Sequence, residues 1–173
     1  FMTIKKVKKF NLVMSSVALA NGFLFLGLIF AIVMALGYAG VIIIDVMPLL
    51  KAHIFLVFIG YVGVTIMGMS MVLLPMFWLS HSFSWKSVIY ALWFLSFGVL
   101  GVVFSSLYVN KTLEYWGYSF TLVALFLYFY QIYIIYKSRV RVERDIYLRS
   151  MVFANIFLFI SISLGLIYIL SPS

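Results

Sequence analysis

The chain has 173 residues, 66% of them hydrophobic and 9% charged, with a mean hydropathy of +1.23. Soluble domains carry about 25% charged residues, so this composition cannot cover a water-facing surface. It also excludes disorder, which needs low hydrophobicity with high net charge. The solvent is lipid, and the chain reads as an integral membrane protein.

Five apolar stretches, 11–36, 52–79, 87–109, 116–136 and 150–170, follow one another. Each reaches the roughly 20 residues that carry a helix across about 30 Å of hydrocarbon. No ten-residue alternation suggests a membrane barrel, and in lipid a helix satisfies its own backbone groups. The expected fold is therefore all-α, a bundle of five transmembrane helices forming one domain over 1–173.

The net charge of +8 is distributed by side rather than spread evenly. Lys5, Lys6, Lys8 and Lys9 precede the first span, Lys86 follows the second, and Lys137, Arg139, Arg141, Arg144 and Arg149 follow the fourth. With alternating helices these share one side, leaving Lys51 and Lys111 on the other. The rich side is cytoplasmic by the positive-inside rule, so the expected N-terminus is cytoplasmic and the C-terminus outside. The expected location is a prokaryotic cytoplasmic (inner) membrane. Basic clusters so placed suit anionic headgroups, not nucleic acid. Ala18-Leu19-Ala20 has the spacing of a signal-peptide cleavage site. The hydrophobic run continues to Leu36, so an uncleaved first span accounts for more of the sequence.

The first span carries Asn21, Gly22 and Gly27, then Ala31, Ala35 and Ala39 at four-residue spacing. Small residues so spaced let helices approach closely. Residues 37–50, with Asp45 and Pro48, read as an outside segment, and His81 to Lys86 as an inside turn. Gly98, Gly101 and Ser105 mark the third span as another close-contact helix. The fourth ends in Tyr128, Tyr130, Tyr133 and Tyr136, while Trp78, Trp85 and Trp116 sit near span ends as interface anchors do.

Candidate chemistry is sparse. With no cysteine, thiolate sites and disulfides are excluded. No intramembrane carboxylate, nucleophile–base pair, P-loop or zinc-protease spacing is present, so the chain is not expected to be an enzyme. His53 stands at the outside end of the second span, and at 100° per residue it shares a face with Gly60, Val64, Met67 and Met71. An imidazole can ligate haem iron or another metal, and a glycine lets a flat macrocycle approach. His53 is thus the candidate ligand, with Gly60 and Met67 beside a bound haem. His81 lies some 42 Å further along a continuous helix, so it cannot complete that site. Met67, Met69 and Met71 do not share a face, which argues for packing rather than copper. Asn21, Ser96, Gln131 and Asn155 are the main polar groups at depth. They either bond between helices or line a pathway.

The run Lys51-Ala52-His53-Ile54-Phe55-Leu56, continuing through Gly60-Tyr61-Val62-Gly63 to Leu73-Leu74-Pro75-Met76-Phe77, resembles a span of haem–copper oxidase subunit I. The likeness is to the cbb3-type and nitric-oxide-reductase-like branch, in which an Ala-His-x-His-Leu opening leads to a Leu-Pro end. It implies a respiratory-membrane protein with a haem- or metal-holding histidine at 53. Phe55 stands where that pattern has its second histidine, which excludes complete oxidase chemistry within this chain. The expected function is a non-catalytic, oxidase-like protein of an energy-transducing membrane, binding one haem through His53 or serving as an accessory subunit. The alternative is a small oligomeric channel or transporter bundle lined by the four polar residues. The expected partners are the lipid bilayer and either further copies or a larger membrane complex.

Overall fold

A computed structural model describes residues 12–80, 84–140 and 146–170. The basic cluster at 5–9, His81, and the 141–145 stretch with Arg141, Arg144, Glu143 and Asp145 lie outside the described residues. All regular structure among the described residues is helical. The helices are α1 (Leu12–Tyr38), α2 (Val46–Trp78), α3 (Trp85–Tyr108), α4 (Lys111–Lys137) and α5 (Ile146–Leu170). The first four are long and apolar enough to cross a bilayer. The fifth expected span falls in α5, whose described apolar stretch, Arg149–Ser161, is shorter. Among the described residues, four helices able to span a bilayer and one shorter apolar helix are therefore shown.

The second span begins earlier than its apolar run suggests. Asp45 accepts a hydrogen bond from the Met47 N–H at 3.1 Å and caps a helix that starts at Val46. Pro48 sits in the first turn, where its missing N–H is not needed. Most of the 37–50 segment's second half is thus helix. Within α2, Phe55–Gly63 is π-helical, with each N–H reaching one residue further back than in an α-helix. Buried Ala52, Leu56, Gly60 and Val64 recur every four residues. In a regular α-helix that spacing drifts about 40° per step; the wider turn absorbs the drift and holds the four on one face.

Helix α1 packs on α2 through notches cut by glycine. The Phe23 ring fills the space beside Gly60, where an added Cβ would come within 2.8 Å of its Cγ. Val57 fills the space beside Gly27 in the same way, and the Ser16 side chain occupies that beside Gly68. The seam runs along Ser16, Ala20, Phe23 and Gly27. The Ala31, Ala35, Ala39 series is not the seam: Ala35 and Ala39 are exposed.

Helices α3 and α4 make the tightest pair. A Cβ on Gly117 would lie 2.8 Å from the Val102 nitrogen and 2.9 Å from the Gly98 carbonyl oxygen. One on Gly101 would come 3.0 Å from Gly117 Cα. The backbones touch directly. The reversal between them takes two residues. Val109 ends α3 in the left-handed region (φ 52°), and Asn110 caps α4 by accepting from the Thr112 and Leu113 N–H groups at 3.0 and 3.3 Å. At the other end of α4, buried Gln131 accepts from the Ser84 N–H at 3.0 Å and so caps the start of α3.

Overpacking a filled contact costs about 1–3 kcal/mol. Gly117→Ala is expected to lose stability in that range, because its new methyl meets backbone that cannot rotate away. Gly22→Ala, with nothing within 4 Å of its Cβ position, is expected to be neutral or slightly stabilising. Unfolding titrations in detergent micelles compare the two.

Candidate functional site

Two interactions decide how His53 is used. Its half-buried ring places Nδ1 2.8 Å from the Gly27 carbonyl oxygen. The carbonyl can only accept, so Nδ1–H donates and the imidazole is a cross-helix strap from α2 to α1. Further down the same face, Phe23 covers Gly60. A macrocycle laid along His53, Gly60 and Met67 would have to displace that ring. Haem on this face would require the Phe23 ring to leave Gly60, while the Nδ1–H bond to Gly27 leaves Nε2 of His53 as its coordinating nitrogen. Among the described residues, no three His, Asp or Glu side chains come together as a metal cluster.

The four polar residues predicted at depth are not brought together. Asn21 donates to the Val17 carbonyl at 2.8 Å, Ser96 to Leu92 at 2.7 Å and Asn155 to Met151 at 2.8 Å, each within its own helix. Gln131 caps α3. They belong to four different helices, and their hydrogen bonds are local or structural.

What the fold assembles instead lies between α2 and α4, which are tied at three levels. At one end Lys51 pairs with Glu114, whose Oε1 also accepts from the Tyr118 hydroxyl at 2.6 Å. The Lys51 ammonium stands 5.8 Å from the centre of the Tyr118 ring, and Phe55 packs on that ring at 5.6 Å. Midway, Ser70 donates to the Ile66 carbonyl at 2.6 Å, so its 3.0 Å contact with Tyr128 is donated by the phenol. At the far end Ser138 donates to Ile134, leaving Ser80 to donate to Ser138 at 2.6 Å. The Trp78 and Tyr136 rings meet edge-on there at 5.5 Å.

Between the first and second ties the helices part around a cleft of about 460 Å³. The π-helical segment of α2 supplies one wall through Phe55, Ile59 and Val62, and α4 supplies the other through Thr121, Leu122 and Leu125. Gly63 and Leu95 lie at its back, and Leu158 and Ser161 of α5 flank it. Met67, expected beside a cofactor, lines this cleft; His53 does not. The hydroxyl protons of the α4 wall are donated within the protein: Tyr118 to Glu114, Tyr128 to Ser70, and Thr121 to the Gly117 carbonyl at 2.9 Å. The rim residues Phe58, Val62, Ile66 and Leu122 are exposed, so the cleft opens sideways. A second, larger groove of about 870 Å³ separates α1 from α3.

Compared with protein-family models, curated proteins and solved structures, the chain matches none.

Sequence reasoning missed the cleft because its walls are ordinary apolar residues. The available signal was the tyrosine at each end. Tyr118 and Tyr128 are ten residues apart, about 80° around the helix, so their spacing alone did not place both against α2.

A cross-helix hydrogen bond within a membrane protein contributes about 0.6 kcal/mol on average and up to about 1.7. His53→Leu is expected to lose an amount in that range, whereas His53→Asn, which keeps a donor, is expected to recover most of it. Thermal unfolding of the two variants in detergent makes the comparison.

Proposed function

We propose that the chain is a non-catalytic, accessory multi-pass protein of an energy-transducing membrane that holds the long apolar tail of a bilayer-resident molecule. The tail lies in the cleft between the π-helical segment and α4. One observation carries this reading: the cleft's Tyr118, Thr121 and Tyr128 hydroxyls already have partners inside the protein. A polar substrate would find the protons of these three hydroxyls already donated. An acyl or isoprenoid chain needs none of them. Apolar clefts of some 300–1,000 Å³ are the usual size for ligand sites, and sideways opening lets a guest enter from the hydrocarbon without crossing water.

The oxidase-like pattern from Ala52-His53 to Leu74-Pro75 supports the respiratory setting in this reading, and the lysine and arginine bias supports the orientation. α5 completes a fifth crossing, the Lys137–Arg139 end faces the cytosol, and the Lys51–Glu114 end faces out. The membrane is a prokaryotic cytoplasmic one.

Protein extracted in mild detergent is expected to carry a lipid-like adduct in native mass spectrometry. Leu125→Trp, which fills the cleft, is expected to lose most of it. Wild-type protein that retains no adduct would overturn the proposal. The absence of cysteine makes orientation directly testable. Thr112→Cys is expected to react with a membrane-impermeant maleimide in intact cells, and Lys137→Cys only after the membrane is opened.

A further inference from the structure

The charges beside the cleft narrow the class of guest. We propose that it is an anionic phospholipid, with one acyl chain between the π-helical segment and α4 and its phosphate over Lys51 and Lys111. This rests on the tail-holding reading above.

Cleft and charges are continuous. Tyr118 lines the cleft and hydrogen-bonds Glu114, which pairs with Lys51, and Phe55 lines the cleft while packing on Tyr118. Lys111 is exposed and lies three residues before Glu114, on the same face of α4. Two ammonium groups therefore surround one carboxylate, leaving a net positive charge at the mouth. Lys51 keeps more than a third of its side chain exposed despite its ion pair. The other carboxylate at this end is Asp45, six residues up α2 and about 9 Å from Lys51 along the axis. It caps the helix through the Met47 N–H and pairs with neither lysine, so it weakens the positive charge at the mouth without replacing Glu114 as the partner. His53 is strapped to α1.

Depth points the same way. Tyr115 and Trp116 are exposed next to this cluster, and such aromatic residues sit at headgroup level. From Tyr118 to Tyr128, the two hydroxyl-bearing ends of the cleft, is ten residues, or about 15 Å along α4. That is half of the roughly 30 Å hydrocarbon core, the depth of a single leaflet. One phospholipid chain fills it, while a long isoprenoid tail would overrun the Tyr128–Ser70 tie. A zwitterionic headgroup brings its own cation to the lysines, whereas an anionic one does not.

The test is native mass spectrometry of the full chain in detergent, titrated with phosphatidylglycerol or with phosphatidylcholine of the same acyl chains. Wild type is expected to retain phosphatidylglycerol preferentially. Lys111→Gln, which leaves the Lys51–Glu114 pair intact, is expected to lower that retention about fivefold, the effect of one lysine near an anionic lipid surface. Its retention of phosphatidylcholine is expected to fall less, so the preference for phosphatidylglycerol narrows. Glu114→Gln is expected to raise the preference, and Leu125→Trp to lose both lipids. If neither charge variant alters the preference while Leu125→Trp still empties the cleft, the headgroup assignment falls and the tail-holding reading stands. If Leu125→Trp retains both lipids at wild-type levels, the tail-holding reading falls and takes this assignment with it. Retention of a long-chain quinone in place of phospholipid, or a second copy of the chain that excludes lipid, overturns the assignment.

Discussion

Direct contact between helix backbones is the interaction on which this molecule depends. Inside a bilayer, helices gain little from hiding apolar surface, because lipid tails are as apolar as leucine. Attraction has to come from van der Waals contact at short range, and side chains on both partners would hold the axes apart. Gly98, Gly101 and Gly117 remove that obstacle between α3 and α4, and Gly27, Gly60 and Gly68 do so between α1 and α2. The α1–α2 seam is the less intimate of the two, since each glycine there receives a side chain. Between α2 and α4 no such notches exist. There polar ties at three heights hold the helices, and the stretch between two of those ties opens as the cleft.

The polar side chains follow a consistent economy. In hydrocarbon an unbonded hydroxyl or amide costs several kcal/mol. Ser96, Thr121 and Asn155 return their protons to the preceding turn of their own helices, and Gln131 spends its oxygen on the first turn of α3. These hydrogen bonds are local to each helix or cap a neighbouring one.

Helix content and the first four spans were readable from hydropathy alone, since length and apolarity are what a bilayer demands. Finer features depended on partners that one-dimensional patterning does not show. Asp45 and Pro48 carry a recognisable helix start, yet the apolar run drew attention to residue 52. Gly98 and Gly101 were visible, with Ser105, as the small residues of the third span, but nothing local identified Gly117 as the residue the two glycines meet. Ala35 and Ala39 have the same spacing virtue and are exposed; spacing says that an approach is possible without saying from where. The strap from His53 to α1 was not readable because its partner is a carbonyl, which leaves no mark in a sequence. The π-helical segment was hidden for a related reason: Phe55–Gly63 is apolar throughout, so no change of polarity betrays the wider turn.

That segment has a consequence for how the chain can vary in length. An α-helix that loses one residue rotates everything beyond the deletion by about 100°, which would swing Met67, Met71 and Trp78 out of the core. A π-helical stretch already holds a surplus residue. A single-codon deletion there would return the stretch to ordinary helix and leave the downstream rotation intact. Of all positions along α2, Phe55–Gly63 is where natural variants can shorten the helix by one residue and keep both of its neighbours.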